Sequence, residues 1–180
     1  MTAILSALVV VLTFVCMEFL AWATHKYVMH GFLWSLHRDH HVKDHDSIFE
    51  RNDVFFLVFA LPSMLLLYLG SSRGFPAVLF WVGAGILLYG ICYFLVHEIF
   101  IHQRVKWLRT TRSPYFHALR RAHKIHHKHT ERSGSTCFGM LVVPMRYFVA
   151  ARRELARERA RSVKKRDRKP RATTVRSAQG

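Results

Sequence analysis

The 180-residue sequence predicts an all-α integral membrane protein. It should have about three transmembrane helices, an interfacial or re-entrant segment, and a histidine-rich helical cap on the cytoplasmic face. Three observations carry this. The hydrophobic residues, 51% of the chain, concentrate in the first hundred positions as long uninterrupted runs. Ten of the thirteen histidines fall into two copies of one pattern, each directly after such a run. The net charge of +16 is gathered mainly after His102. The three cysteines form no C-x-x-C spacing, which argues against a thiolate zinc site or a disulfide framework and suits a reducing compartment or lipid.

Residues 2–23 are almost continuously apolar, with Glu18 the one charge, and about 20 helical residues cross a bilayer core. Ala21-Trp22-Ala23 looks like a signal-peptidase site, but no basic stretch precedes the run and it is too long for a signal core, so it reads as a retained span. Residues 24–53 are polar and carry five of the patterned histidines with Asp39, Asp44, Asp46, Glu50 and Asp53. A second apolar run covers 54–70, with Pro62 inside it, which a membrane helix tolerates when neighbours satisfy the freed carbonyl. Pro76 opens a third run to Ile101. As a helix it would reach about 39 Å, against a hydrocarbon core of about 30 Å, so His97 and His102 are expected at the headgroups or beyond. Residues 135–150 form a weaker apolar stretch broken by Pro144 and Arg146, read as the interfacial or re-entrant segment covering the site. From Arg152 the chain is strongly basic: the first part could be helical, and the remainder has the composition of a disordered tail. Attraction of that tail to anionic membrane lipid is preferred over nucleic-acid binding, and a plain solvated tail is preferred over both.

Charge sets the topology. Residues 24–53 hold four Lys or Arg and 97–134 hold nine, whereas the turn at 71–74 holds one and nothing before Lys26 is basic. The positive-inside rule then places both histidine segments on the cytoplasmic side, which three spans allow.

The repeated pattern is H-x-x-x-x-H followed by H-x-x-H-H: His25 and His30 with His37, His40 and His41, then His97 and His102 with His123, His126 and His127. On an α-helix, positions i, i+3 and i+4 share an arc of about 100°, so each triple presents several ring nitrogens to one side. Five residues advance about 140° beyond a full turn, so the looser pairs either straddle two ions or lie where the helix is unwound. Ten nitrogen donors exceed one ion's needs and suit two ions with about five each. Imidazole suits iron, zinc, copper and nickel alike. Asp39 and Glu98 are candidates to accept the other ring N–H of a ligand, the alternative being ordinary helix-surface charge. Ligand histidines must be neutral, so acidification is expected to release metal. His45, His117 and His129 lie outside the pattern and receive no role, and Glu18 is assigned none.

The residues His25-Lys26-Tyr27-Val28-Met29-His30-Gly31 and Leu36-His37-Arg38-Asp39-His40-His41 resemble the first two histidine boxes of bacterial β-carotene hydroxylases, members of the fatty acid hydroxylase and sterol desaturase superfamily. The likeness continues through Asn52-Asp53, Tyr93-Phe94-Leu95-Val96-His97-Glu98, His102-Gln103-Arg104 and Ala122-His123-Lys124-Ile125-His126-His127 to Cys137-Phe138-Gly139-Met140. The boxes mark the superfamily, and V-H-E with H-Q-R points to the carotenoid branch.

The resemblance implies a non-haem di-iron monooxygenase that hydroxylates carbon 3 of β-ionone rings with O2 and two electrons from a ferredoxin-type donor. It would convert β-carotene to β-cryptoxanthin and zeaxanthin, with canthaxanthin to astaxanthin as a further conversion. The ten box histidines carry over as the metal ligands. Residues 1–150 would form the membrane hydroxylase domain and 151–180 the basic tail. The carotenoid would arrive from the lipid bilayer, in the cytoplasmic membrane. The alternatives are a carotenoid ketolase, a fatty acid or sterol hydroxylase or desaturase, and a non-enzymatic metal-binding membrane protein. Transporters hold ligands near the bilayer midplane, whereas these histidines stand at the span ends.

Overall fold

The structure, a computed structural model, describes residues 1–42, 46–107 and 110–167. His45 and the basic stretch from 168 onward lie outside the described residues. Among the described residues all regular structure is helical. Helix α1 (Ala3–Ala23) begins where the Thr2 hydroxyl accepts from the Leu5 amide, and continues without a break into a π-helical segment, Thr24–Phe32. Inside that segment the backbone of Gly31 (φ −97°, ψ −125°) leaves the helical region, and the chain turns into the short α2 (Trp34–His41). A 3₁₀ turn, Arg51–Asp53, leads into α3 (Val54–Ser71), which holds Pro62. Helix α4 (Val78–Phe94) again runs on into a π-helical segment, Leu95–Ile101. Helix α5 (Pro114–His126) opens on proline, whose missing N–H costs nothing in the first turn, and α6 spans Met145–Asp167.

Three helical stretches are long and apolar enough to cross a membrane: Ala3–Phe32, Arg51–Ser71 and Val78–Ile101. They match the three apolar runs. Their outward faces expose Ile4, Leu8, Leu12 and Phe19 on α1 and Phe56, Leu61, Met64 and Leu65 on α3, a surface that only lipid solvates well. Helix α4 stands between α1 and α3 and packs on both. Glycines make this close. A Cβ at Gly83 would lie 2.8 Å from the Leu67 amide on α3, and one at Gly85 would lie 2.6 Å from Thr13 on α1. Ser63 donates its hydroxyl to the Gly83 carbonyl at 2.9 Å across the same contact. Small residues and interhelical hydrogen bonds are what hold helices together where no hydrophobic effect separates protein from lipid.

Helices α5 and α6 form a second, smaller layer. Ala118, Ala122, Tyr147 and Ala151 make its buried cluster, and Arg121 pairs with Glu154 at 3.0 Å. Residues 152–159, helical in the sequence reading, lie within α6. Of the stretch 135–150 expected to cover the site, 135–144 is irregular and 145–150 open α6, and its residues 140–142 bond to Glu18 of α1.

The Gly83 contact is backbone against backbone, so the neighbour cannot rotate away. Gly83→Ala should lower the unfolding free energy by about 1–3 kcal/mol, the usual range for overpacking, measured by denaturant unfolding in detergent micelles. An unchanged transition would contradict the α3–α4 packing.

Candidate metal centre

All ten patterned histidines meet at one place. His25, His30, His37, His41 and His126 form one group and His40, His97, His102 and His123 a second, the ring nitrogens of each group lying within 4.8 Å of one another. His127 stands between the groups, its ring centroid 4.4 Å from that of His123, 4.5 Å from His41 and 4.9 Å from His102.

Two local geometries produce this sorting. The first concerns the H-x-x-x-x-H pairs. His25, His30 and His97 lie in the π-helical segments and His102 caps the second; there hydrogen bonds run from i to i+5 and residue i+5 comes to stand over residue i. The His102 amide bonds the His97 carbonyl at 2.9 Å, which is such a bond between the two box residues themselves. The ring centroids of His97 and His102 are 4.5 Å apart, and those of His25 and His30 are 5.3 Å apart. Each pair therefore serves one group. Of the two readings the spacing left open, the geometry shows the local departure from the α-helix, and each pair falls within a single group.

The second geometry concerns the H-x-x-H-H triples. On an α-helix i+4 lies about 40° beyond i, and i+3 lies about 60° to the other side. The outer two histidines therefore act together and the middle one diverges. His37 and His41 join the group of His25 and His30, while His40 crosses to that of His97 and His102. In the second copy His123 stays with His97 and His102, while His126 crosses to the first group. Each triple thus divides its rings between the two groups. The two groups are related by an exchange of their i+3 residues.

The hydrogen bonds of the rings set their protonation. His25 Nδ1 donates to the Phe138 carbonyl at 3.0 Å, His30 to Arg132 at 3.1 Å, His41 to His129 at 3.0 Å and His126 to Thr136 at 2.9 Å. His37 Nδ1 donates to Asn52 Oδ1 at 2.6 Å, His40 to Glu50 Oε2 at 2.8 Å and His97 to Glu98 Oε1 at 2.5 Å. A neutral imidazole with its proton on Nδ1 offers a lone pair at Nε2. These lone pairs face each other: His25 and His37 Nε2 are 3.1 Å apart, His30 and His126 3.2 Å, and His37 and His41 3.2 Å. Nε2 of His40 and of His127 are buried with no hydrogen-bond partner among the described residues. Converging acceptors with no proton between them fit a cation bound by imidazole, with the other ring N–H held by carbonyl or carboxylate.

Several contributors come from outside the boxes. Arg104 joins the acceptors together: its guanidinium lies 2.6 Å from Glu98, 2.9 Å from Glu50 and 2.9 Å from Asp53. Glu50, Asn52 and Arg104 received no role from spacing, although Asn52 and Arg104 stand in the text that carries the family resemblance. Glu98 accepts from His97 Nδ1. Asp39 is buried and accepts from the Arg51 amide at 2.6 Å, so it ties α2 to the 3₁₀ turn. The backbone carbonyls at 129–138 carry no side-chain signature that sequence reading could detect.

Residues 10–147 match the Fatty acid hydroxylase family. The chain is 42% identical over 139 residues to a beta-carotene hydroxylase of Pantoea ananas, covering 77% of this chain and 78% of that one. It is 36% identical over 138 residues to a beta-carotene hydroxylase of Paracoccus sp. (strain PC1), covering 76% and 83%. A chloroplastic beta-carotene 3-hydroxylase of Arabidopsis thaliana is 34% identical over 151 residues, covering 82% of this chain and 49% of that one. No solved structure matches the chain.

Burial, reinforced by neighbouring imidazoles, holds His41 near pKa 4 and His126 near 3, and pushes His40 and His123 well below the ordinary value of 6.5. A depressed folded-state pKa means that the unfolded chain takes up protons first. Stability is therefore complete above pH 6.5 and falls progressively below it, until the loss is complete near pH 4 for His41 and near pH 3 for His126. Protons also compete with metal for the same nitrogens. Bound metal and helical circular dichroism, followed together by acid titration, should both fall below pH 6.5. Full retention of metal at pH 3 would contradict the ring assignments.

Proposed function

Because the chain belongs to the fatty acid hydroxylase family, we propose that it is a β-carotene 3-hydroxylase working through two non-haem iron ions and O2. One observation carries the reading: nine imidazoles gather in a group of five and a group of four, with His127 between them, where two membrane-length helices end and α2 and α5 meet them. The names of its bacterial and plant relatives supply the substrate. His25, His30, His37, His41 and His126 would hold one iron, and His40, His97, His102, His123 and His127 the other.

A ring C–H bond is unactivated and no side chain can attack it, so bound iron would supply the redox chemistry. One oxygen atom of O2 enters the C–H bond and the other leaves as water, consuming two electrons and two protons. The protein's own part is to orient and to exclude. Carbonyls, Asn52, Glu50 and Glu98 hold the rings by Nδ1 and keep their lone pairs on the centre. Arg104 balances the Glu50, Asp53 and Glu98 carboxylates, which would otherwise repel one another beside the ligands. The apolar faces of the spans bring a bilayer-dissolved carotenoid to the centre without passage through water. The expected course is β-carotene to β-cryptoxanthin to zeaxanthin, with canthaxanthin to astaxanthin as a parallel conversion.

The catalytic unit is assigned to residues 1–150, with the basic tail following. The charge distribution supports a centre on the cytoplasmic face of the cytoplasmic membrane. Exposed Lys106, Arg112, Arg121, Lys124 and Lys128 on the same segment as the second boxes would steer an acidic ferredoxin-type donor.

Expression in cells that accumulate β-carotene, followed by pigment analysis, should yield zeaxanthin. His40→Ala and His126→Ala should each abolish product and lower bound iron. Ketocarotenoids in place of zeaxanthin would transfer the reading to a ketolase, and wild-type activity in both variants would overturn the ligand set.

A further inference from the structure

Glu18 is the one charged residue in the first apolar run, and the chemistry of the centre does not use it directly. It lies seven residues before His25, about 10 Å along the helix axis. Its carboxylate is bound by the irregular segment between α5 and α6. Oε1 accepts from the amides of Met140 at 3.0 Å, Leu141 at 3.0 Å and Val142 at 2.9 Å. Oε2 accepts from the Tyr89 hydroxyl of α4 at 2.9 Å and from the Leu141 amide at 3.1 Å. Three successive amides around one carboxylate make an anion-binding concavity. Gly139 permits it, since a Cβ there would lie 2.5 Å from the Val142 carbonyl and 3.2 Å from Glu18 Oε1. The Tyr115 hydroxyl holds the same segment from α5, donating to the Leu141 carbonyl at 2.6 Å.

A carboxylate in an apolar span and non-helical backbone beside that span are each costly alone, because neither finds water. Here each satisfies the other. The segment thus fixed is the one that orients two ligands of the first histidine group: His25 donates to the Phe138 carbonyl and His126 to the Thr136 carbonyl. The Phe138 ring also packs at 5.4, 5.1 and 5.2 Å between centroids on His25, His30 and His126. Contacts at the second group run instead through Glu50, Glu98 and Arg104.

We infer that Glu18 is a positioning residue for the metal centre: it anchors residues 140–142 so that the Thr136 and Phe138 carbonyls hold His126 and His25 in register with the first group. This rests on the reading of the two groups as metal sites. The inference is specific, because loss of the anchor should disturb one group and spare the other.

The test is iron titration of purified full-length protein in detergent, with bound iron per chain and the affinity of each site as readouts, for wild type, Glu18→Ala, Glu18→Gln and Gly139→Ala. Glu18→Ala should weaken one of two ions by about 10–100-fold, as removal of an orienting partner does, with the other unchanged. Gly139→Ala displaces the same segment while leaving Glu18 in place and should do likewise, which keeps the test decisive if Glu18→Ala fails to fold. Glu18→Gln retains an acceptor oxygen for the amides and should restore most of the lost affinity. Wild-type affinity at both sites in Glu18→Ala and Gly139→Ala would overturn the inference, as would equal weakening of both sites. A wild-type chain that binds no metal would overturn the ligand reading itself, before any variant is compared.

Discussion

Nε2 lone pairs from buried imidazoles meet with no proton between them, and the rest of the structure follows from that constraint. Protonating the rings would put several positive charges in a buried volume, which burial opposes at the rings outside the spans. Leaving them neutral sets acceptor against acceptor at 3.1–3.2 Å. A shared cation resolves both difficulties. The surrounding protein therefore has to place each proton on Nδ1 and leave Nε2 free, and it does so with carbonyls, one amide and two carboxylates.

The helical framework is arranged to deliver that result. α1 and α4 each end in a π-helical segment, and each segment brings a histidine pair onto one face. α2 and α5 each supply a triple whose middle member crosses to the other group. The two halves thus interlock, and neither group is complete without a ring from the other half. This ties α2 to the second group and α5 to the first, which a pair of self-contained sites would not require.

Much of this was legible in the sequence. Three apolar runs became three membrane-length helices because length and composition suffice for that inference. The ten histidines were identifiable because their spacing occurs twice. The H-x-x-x-x-H pairs were harder, since α-helical periodicity places i+5 on a different face and only a π-helix brings it back. The crossing of His40 and His126 was contained in the arc arithmetic, but it needed the relative placement of α2 and α5 to decide where each ring went. Glu50 and Arg104 reach the centre from loops, and the carbonyls of Arg132, Thr136 and Phe138 act through backbone atoms that any residue possesses. Glu18 was visible as an anomalous charge, yet its amide partners lie more than a hundred positions away.

The most direct test of the interlocked centre is an experimental structure of the iron-loaded protein with anomalous scattering recorded at the iron edge. Two peaks are expected, one bonded by His126 together with His25, His30, His37 and His41, the other by His40 together with His97, His102, His123 and His127. A peak bonded jointly by His123, His126 and His127, or by His37, His40 and His41, would contradict the account.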